Sequence, residues 1–328
     1  MSGAARTALA RRMRRFVVAL AWVLAGPALA GMATPQLLEV GPGRPFAVPS
    51  AAARVARDGA TVAIDAGDYV GDVAVWTQNR LTIRGVGGRA RLQAGGRSAE
   101  GKAIWVIRGD GVLIEHVELS GTRVPSRNGA GIRHEGGRLT LRDCRLHHNE
   151  MGILSYNERR GELTVEDSEI DSNTAQTELH GRLGHNIYVG RIGRFTLRNS
   201  TVRDARIGHL VKSRAAVNLI EDNRLVDSLG ASYLIDLADG GAARVIGNRM
   251  EKSAAAPNRT AIAYGAESAA SSADPLASGG SLLVERNDYR VSGSPGTFVR
   301  NHSDTLARLA GNRLPAGTIP LQGPGQVQ

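Results

Sequence analysis

The sequence has a single cysteine, Cys144, so it cannot form an intrachain disulfide or a cysteine-rich metal site. It also lacks a glycine-rich phosphate motif and the spacing of zinc ligands. Aromatic residues make up only 4% of the 328 residues, so Val, Ile, Leu and Ala must supply most of the core. The chain does contain 41 glycines, 42% hydrophobic residues and 22% charged residues. This composition is typical of a globular protein built from many short strands.

The first thirty residues have the pattern of a secretory signal peptide. Five arginines precede an apolar run, FVVALAWVLAGPALA (16–30), which ends in Ala28-Leu29-Ala30. Small residues three and one positions before a cut predict cleavage after Ala30. The run is short and contains a proline, so we expect no stable membrane insertion after cleavage. The protein is then periplasmic or secreted, and an uncut N-terminal anchor is the alternative.

The charge of the mature chain indicates the kind of partner. Removing residues 1–30 takes away five arginines and no acidic residue, so the net charge falls from +10 to +5. A basic protein favours an acidic partner, and for an exported one an anionic polysaccharide fits better than nucleic acid. We expect a monomer that binds an acidic polysaccharide and does not bind nucleic acid.

A short motif recurs along the chain, with apolar residues on either side of a polar bend. Its copies are LRDCRL (141–146), VEDSEI (165–170), LRNSTV (197–202), IEDNRL (220–225), VIGNRM (245–250), VERNDY (284–289) and LAGNRL (309–314). The fourth positions, from Cys144 to Asn312, are separated by 24, 32, 23, 25, 39 and 25 residues. A period near 24 residues with occasional insertions is typical of a solenoid.

The apolar residues of each copy alternate with polar ones, as in strands rather than helices. A second apolar segment accompanies several copies: AGIRH (130–134), MGILSY (151–156), HNIYVG (185–190), GHLVKS (208–213) and SYLIDL (232–237). Two or three short strands in each period form one coil of a parallel β-helix. Asn suits the fourth position of the motif, because it tolerates tight bends and bonds to the next coil. We therefore predict one β-helix domain over residues 31–312.

The segments that flank the repeats predict a cap and a tail. A short helix from about Pro49 to Arg57, with Ser50 near its start, would cover the apolar open end of the solenoid. Residues 254–280 read as one strand and an Ala/Ser-rich loop, which explains the interval of 39. Residues 313–328 are rich in Pro, Gly and Gln and are predicted to be a disordered or loosely attached tail.

The helix followed by IDAGDY (64–69), the LTIRGVGG segment (81–88) and the Asn-bearing repeats resemble the pectate-lyase-like, right-handed parallel β-helix superfamily. The resemblance covers most of residues 45–314. It implies an all-β, single-stranded right-handed parallel β-helix with an N-terminal helical cap. The stretch from HNIYVG to IAYGAE (262–267) also resembles a group of exported bacterial β-helix proteins. Because this superfamily contains lyases, hydrolases, epimerases and non-catalytic spikes, the fold alone does not choose among them.

Three of the second strands, HNIYVG, GHLVKS and SYLIDL, follow one another at intervals of 24 residues. Stacking them about 4.8 Å apart places each side chain beside its equivalent on the next strand. Alternation then directs Tyr188, Lys212 and Asp236 outward on one face. Arg214 lies two residues beyond Lys212 on that face, and Arg133 is in line with the same column upstream.

His185, His209 and Tyr233 occupy equivalent positions at the edge of this face, where the strands leave their turns. One interpretation of the whole face is structural. Lys212 and Asp236 would then form an exposed cross-strand ion pair worth well under about 1 kcal/mol. A functional surface is the other interpretation, because small residues flank the neighbouring arginine and the insertion SNTAQTELHGRLG enters just before the first strand.

Lys, Arg, Tyr and His side chains are the types that abstract a proton beside a carboxylate and neutralise that carboxylate. The chemistry would be β-elimination on a uronic-acid polymer. Lys212 is the base if burial and a neighbouring cation favour its neutral form. Asp236 favours the charged form, and Lys212 would then be the neutralising cation, with Tyr188 or a histidine as base. The candidate catalytic residues are Lys212, Tyr188, Arg214, His185 and His209, and the candidate substrate-binding residues are Asp236, Tyr233 and Arg133.

The strand that contains Lys212 also resembles, more distantly, the family of chondroitinase B and bacterial alginate lyases. In that family a lysine on the equivalent strand is the base and an arginine one coil later is the acid. Lys212 matches the lysine, whereas Asp236 stands where the family has the arginine. The acid role would then pass to Arg214 or His209.

The sequence therefore predicts an exported lyase that cleaves an acidic polysaccharide by β-elimination. The alternatives are a C5-epimerase or a glycoside hydrolase on the same fold, and a non-catalytic β-helix that binds or organises a surface polysaccharide. No cofactor or structural metal is expected, although Asp236, Asp239 and Glu267 are candidate Ca²⁺ ligands.

Overall fold

The computed structural model describes residues 35–174, 184–267 and 280–328. The predicted signal peptide, most of the insertion at 172–184 and part of the Ala/Ser-rich loop lie outside the described residues.

The strands of the described ranges form two parallel sheets. The smaller sheet contains β3 (Ala74–Trp76), β5 (Ala103–Ile107), β8 (Ala130–His134), β11 (Met151–Ser155), β14 (Ile187–Val189), β17 (Val211–Ser213), β20 (Ile235–Leu237), β23 (Thr260–Tyr264), β26 (Thr297–Asn301) and β28 (Ile319–Gln322). The larger sheet contains β1 (Leu37–Val40), β2 (Thr61–Val70), β4 (Thr82–Gln93), β6 (Val112–Glu115), β7 (Val117–Ser120), β9 (Arg138–Arg142), β10 (Arg145–His147), β12 (Glu162–Glu166), β13 (Glu169–Asp171), β15 (Arg194–Arg198), β16 (Thr201–Arg203), β18 (Val217–Glu221), β19 (Arg224–Val226), β21 (Ala242–Ile246), β22 (Arg249–Lys252), β24 (Ser281–Glu285), β25 (Asp288–Val291), β27 (Ala307–Ala310) and β29 (Gly325–Val327).

Each full coil supplies one strand to the smaller sheet and two to the larger sheet, as β11, β12 and β13 do. The strands pair in parallel with their equivalents in neighbouring coils. In the smaller sheet, for example, β11 pairs with β14, β14 with β17 and β17 with β20. This connectivity is a parallel β-helix, and it confirms the fold predicted from the repeat.

The interior consists of columns of apolar side chains, one from each coil. In the smaller sheet the inward column reads Ile132, Ile153, Ile187, Val211, Ile235 and Ile262, all completely buried. The two large rings near the N-terminal end, Trp76 and Trp105, meet edge to face with centroids 5.7 Å apart. Small aliphatic side chains thus fill most of the core, as the low aromatic content predicts.

The polar bend between the two strands of each motif has one conformation throughout. The residue before each fourth position is left-handed, with φ between 47° and 70°, and these residues are Asp143, Asp167, Asn199, Asp222, Gly247, Arg286 and Gly311. Asp, Asn and Gly adopt this conformation at the lowest cost, which explains why six of the seven copies have one of them there.

The predicted ladder runs through the fourth positions. The Oδ1 atom of Asn248 accepts hydrogen bonds from the N–H and Nδ2 of Asn223, at 2.9 and 3.0 Å. The Nδ2 of Asn248 donates to the carbonyls of Ile220 and Ile246. Because Asn248 is completely buried, these bonds satisfy backbone groups that water cannot reach.

A second polar ladder, which the motif did not reveal, lies at another corner of the coil. Asn149, Asn173 and Asn186 are completely buried. The N–H of Asn149 donates to Oδ1 of Asn173, and the N–H of Asn173 donates to Oδ1 of Asn186, at 3.0 and 3.1 Å. Asn186 comes only 13 residues after Asn173, so this ladder does not follow the period by which the first one is found.

The N-terminal helix is present but shorter than predicted. It comprises Pro49–Ala53 rather than extending to Arg57, and it packs on the first strands β1, β2 and β3. The N–H of Ser50 is bound by the carboxylate of Asp72 at 2.9 Å rather than by a cap within the helix.

The C-terminal segment differs from the predicted loose tail. Residues of β28 pair with β26, and residues of β29 pair with β27, so both sheets continue beyond residue 313. The composition of the segment misled the prediction, because four of its six prolines and glycines lie outside the two strands. No helix within the described ranges has the length and apolar character of a membrane span.

Candidate functional site

The strands β14, β17 and β20 have the register that the sequence predicted. Tyr188 lies beside Lys212, and Lys212 lies beside Asp236. The same outward column continues upstream through Leu154 to Arg133. Alternation along each strand places all five side chains on the outer face of the smaller sheet.

Lys212 is the centre of a cluster of charged side chains on this face. Its Nζ atom lies 2.8 Å from Oδ2 of Asp236 and 2.7 Å from Oε1 of Glu267. Asp236 is the equivalent residue on the next strand, whereas Glu267 follows β23 and extends back across two coils. The lysine therefore bridges one carboxylate within the sheet and one from a turn above it.

Arg214 is the second cation of the cluster. Its guanidinium forms ion pairs with both Glu267 and Asp239. Its Nε atom donates a hydrogen bond to the phenol oxygen of Tyr188 at 3.1 Å. Arg191 pairs with the second oxygen of Asp239 at 2.7 Å. We refer to Lys212, Arg214, Arg191, Asp236, Asp239 and Glu267 as the ion cluster.

The ion cluster is largely buried, which corrects the prediction of an exposed ion pair on a solvated face. The side chains of Lys212 and Asp236 are 11% and 3% exposed, whereas Glu267 and Arg191, at the margin of the cluster, are 43% and 38% exposed. The turn residues Glu267 and Asp239, together with Arg214, cover the lysine. A variant at Lys212 will therefore affect the fold as well as any activity.

Burial and pairing shift the pKa values within the ion cluster. Burial alone would lower the pKa of Lys212, but Asp236 and Glu267 outweigh it and hold the pKa above its ordinary value. Burial raises the pKa of Asp236 in spite of the nearby lysine. Burial would also raise the pKa of Glu267, but Lys212 and Arg214 bring it down to about 2. Lys212 is therefore an ammonium ion in this arrangement.

The two histidines stack beside the ion cluster. The rings of His185 and His209 are 4.9 Å apart, and the ring of Tyr233 lies 5.0 Å from that of His209. The N–H of His209 donates to Nδ1 of His185, and the N–H of Tyr233 donates to Nδ1 of His209. Each Nδ1 is thus an acceptor, so we assign the ring proton to Nε2.

Burial lowers the pKa of both histidines, to about 3 for His209 and well below the ordinary value for His185. Both rings are therefore neutral at physiological pH. The Nε2 of His209 lies 3.5 Å from Oδ2 of Asp236, which joins the stack to the ion cluster.

An open groove adjoins the ion cluster on its N-terminal side. Tyr188, Leu154, Arg133, Tyr156 and His185 line it. Arg133 faces Glu135 at 3.4 Å. The structure thus places the predicted residue Arg133 in this groove, while Tyr233 lies on the far side of the histidine stack.

The three candidate Ca²⁺ ligands do not fit a cation. Asp236, Asp239 and Glu267 already face Lys212, Arg214 and Arg191, whose charges would repel a metal ion. In the part of the chain that the structure describes, no group of three acidic, histidine or cysteine side chains has the geometry to hold a metal.

Three members of the ion cluster were not predicted in their observed roles. Glu267 and Asp239 were candidates only for Ca²⁺, and Arg191 was not a candidate at all. Arg191 and Asp239 are 48 residues apart, which is two periods, so the register contained a signal for this pair. Glu267 reaches the lysine from a turn, and a strand period cannot predict that contact.

The fold and the site together define a class of protein. It is a parallel β-helix in which the strand register brings charged residues together on one outer face. The family model described as "Right handed beta helix region" matches residues 73–250. This match covers more than half of the chain, and the chain belongs to that family. No curated protein matches the chain in sequence.

Solved structures with the same fold include two polysaccharide lyases. The pectate lyase Pel9A has a TM-score of 0.59 and 13% identity, over 90% of this chain and 78% of that one. An alginate lyase from Paenibacillus sp. str. FPU-7 has a TM-score of 0.54 and 14% identity, over 88% of this chain and 99% of that one. ORF18 of Geobacillus virus E2 has a TM-score of 0.55 and 13% identity, and the match spans 82% of this chain and 53% of that one. At such identities these likenesses establish the fold, which is the pectate-lyase-like right-handed parallel β-helix.

Proposed function

We propose that the protein is an exported lyase that cleaves an acidic, uronic-acid-containing polysaccharide by β-elimination. The observation that carries the proposal is the pair of cations Lys212 and Arg214, which hold one carboxylate, Glu267, between them beside the phenol of Tyr188. A uronate carboxylate bound by the same two cations would have its adjacent C5 proton close to that phenol. The pectate and alginate lyases that share the fold support the choice of substrate class.

Lys212 and Arg214 are the neutralising residues in this proposal. Removing the C5 proton leaves negative charge on the carboxylate, and fixed cations stabilise that charge most effectively in a partly buried site. Lys212 cannot serve as the base in this arrangement, because Asp236 and Glu267 keep its pKa raised. The charged alternative derived from the sequence is therefore the one that we adopt.

Tyr188 is the proton-transfer residue in the proposal. His185 and His209 are less suitable, because each Nδ1 lone pair is occupied by a backbone N–H. The Tyr188 oxygen is held by Arg214 at 3.1 Å and its ring lines the open groove. A base must have a free lone pair within reach of the proton that it removes.

The proposed reaction needs no cofactor to balance. Tyr188 as phenolate takes the C5 proton, the C5–H electron pair forms the C4–C5 double bond, and the C4–O bond breaks. The departing oxygen takes the proton from the phenol, which restores the phenolate. The products are a new chain end and an unsaturated uronate.

The test is ultraviolet absorbance of the unsaturated product across a panel of uronic-acid polymers, including polygalacturonate and alginate. On a polymer that is cleaved, Tyr188→Phe should lower kcat by about 100-fold or more. The control Tyr156→Phe changes an exposed tyrosine of the same groove and should retain activity. Arg214→Ala should also raise KM, because it loses a carboxylate contact. Full activity of Tyr188→Phe would refute its role, and the absence of cleavage on every polymer would refute the lyase proposal.

A second candidate function is a non-catalytic β-helix that binds a surface polysaccharide. The observation that favours it is the charge balance of the ion cluster, in which three cations face three carboxylates. Retention on an immobilised acidic polymer without any cleavage would favour this candidate. A C5-epimerase would begin with the same proton abstraction, and NMR of the polymer would show inverted uronate units without new chain ends.

A further inference from the structure

We propose that the side chain of Glu267 occupies the subsite for the substrate's carboxylate, and that a uronate must displace it to bind. This inference rests on the proposed function in taking the ligand to be a uronate. It adds that the free protein holds its own carboxylate in the site as an internal competitor.

The contacts of Glu267 are those expected of a bound carboxylate ligand. Its Oε1 accepts from the Lys212 ammonium at 2.7 Å, and its Oε2 accepts from the Arg214 guanidinium. Each carboxylate oxygen thus meets one cation, an arrangement that any carboxylate of similar size can reproduce. The two cations belong to one strand, β17 and the residue that follows it, so their spacing does not depend on Glu267.

Glu267 is also the only acid of the ion cluster that is in a position to leave. Its side chain is 43% exposed, whereas those of Asp236 and Asp239 are 3% and 11% exposed. Asp236 lies on a central strand, and Asp239 is held between Arg191 and Arg214. Glu267 lies in a turn, so a change of its rotamer would free both cations without moving a strand.

Displacement of Glu267 leaves a site with the charge that an anion requires. Three cations would then face two carboxylates, so the ion cluster would carry a net charge of +1. Lys212 and Arg214, which are 11% and 14% exposed, would each keep one carboxylate, Asp236 or Asp239, but the excess positive charge in this partly buried place favours binding of another anion. A carboxylate would therefore exchange with Glu267, while a neutral sugar would gain nothing.

The experiment is a titration of the mature chain with D-galacturonate, D-glucuronate, D-mannuronate and L-guluronate, with D-galactose as the uncharged probe. Binding is measured by calorimetry, so it does not depend on turnover. Glu267→Gln removes the competing charge and should bind at least one uronate about 10-fold more tightly than the unchanged protein. Neither protein should bind D-galactose. Adding Arg214→Gln to Glu267→Gln should abolish the gain.

Glu169→Gln is the matched control. Glu169 is 33% exposed and each of its oxygens also faces one cation, Arg203 at 2.9 Å and Arg145 at 3.5 Å, but it lies on the larger sheet. This variant should leave uronate affinity unchanged. If Glu267→Gln does not fold by circular dichroism, Glu267→Asp replaces it, because the shorter side chain cannot reach both cations and should give a gain in the same direction.

The outcomes separate this inference from the proposed function. Tighter uronate binding by Glu267→Gln without cleavage of any polymer supports the subsite and refutes the lyase. Cleavage by the unchanged protein with no gain in affinity in Glu267→Gln refutes the internal competitor and leaves the lyase. An equal gain in Glu169→Gln would also overturn the inference, since a change of net charge would then explain it.

Discussion

Replacing Lys212 by Met tests how the buried ion cluster is held together. Methionine has a similar length and no charge, so the change removes the ammonium and leaves most of the apolar stem. The variant leaves the carboxylate of Asp236 without its lysine partner, and the side chain of Asp236 is only 3% exposed. Among the described residues, its Oδ1 already has no hydrogen-bond partner, and the remaining contact of Oδ2 is His209 at 3.5 Å.

The expected loss of unfolding free energy is about 3–5 kcal/mol, the usual result of removing one partner of a buried ion pair. Glu267 contributes little to the loss, because it is partly exposed and retains Arg214. Such a loss is a large fraction of the 5–15 kcal/mol that typically stabilises a folded domain. An exposed pair of the kind predicted from the sequence would cost about 1 kcal/mol at most.

The loss should also depend on pH in a defined direction. Burial already raises the pKa of Asp236, and removing the lysine raises it further. The folded variant then binds more protons than the unfolded chain above the unfolded pKa of about 3.9. Its stability therefore falls as pH rises, and the variant should be closer to the unchanged protein at about pH 5 than at about pH 8.

Urea denaturation at the two pH values measures both effects. A double variant, Lys212→Met with Asp236→Ala, is the control, because Ala263 occupies the next position of the same column. Replacing both charges should recover most of the loss. A loss below about 1 kcal/mol in Lys212→Met, or no recovery in the double variant, would refute the reasoning.

Three further predictions concern the fold. Asn248→Leu should lower unfolding free energy by about 3 kcal/mol in urea denaturation, because two backbone carbonyls and one N–H lose their partner; Asn312→Leu at the partly buried end of the ladder should cost less. Lys252 is buried against two carbonyls, and burial lowers its pKa to about 8. Between about pH 8 and 10.4 this lysine therefore holds a proton in the unfolded chain but not in the folded one. Stability from this group should rise over that window by up to about 3 kcal/mol, and Lys252→Met should lack the rise. Gly208→Ala would place a methyl group 1.4 Å from the carbonyl oxygen of Gly184. This variant should therefore lower the melting temperature sharply or fail to fold. A normal melting curve would contradict the stacking of these turns.

Periodicity explains why so much of the fold could be predicted. A solenoid repeats one local arrangement, so a bend such as the left-handed Asp143 or Asp222 recurs with the same residue types. The register of Tyr188, Lys212 and Asp236 was predicted from the 24-residue spacing of these positions, and the structure shows the same register. Asn186 in the second ladder escaped prediction because it does not follow the period, whereas the pair of Arg191 and Asp239 was missed although it does.

The candidate site could be predicted only in part, because strand register determines which side chains are neighbours but not how deeply they are buried. Alternation correctly directed Lys212 outward, and from that direction exposure was inferred. The turn residues Glu267 and Asp239 instead cover it. Likewise, the sequence could not show that the backbone binds Nδ1 of His185 and His209, which is what removes them as bases.

The smaller sheet itself indicates that the ion cluster is not a requirement of the fold. Four other coils fill the same outward column with apolar side chains, namely Val75, Val106, Leu154 and Ala263. Since those coils stack in the same register, Lys212 and Asp236 are not needed to form or pair a strand. Buried ion pairs add little net stability compared with apolar residues of similar size. Two of the six residues of the ion cluster thus occupy a column in which apolar side chains also fit, which supports the proposal of a charged ligand over a role in the stability of the solenoid.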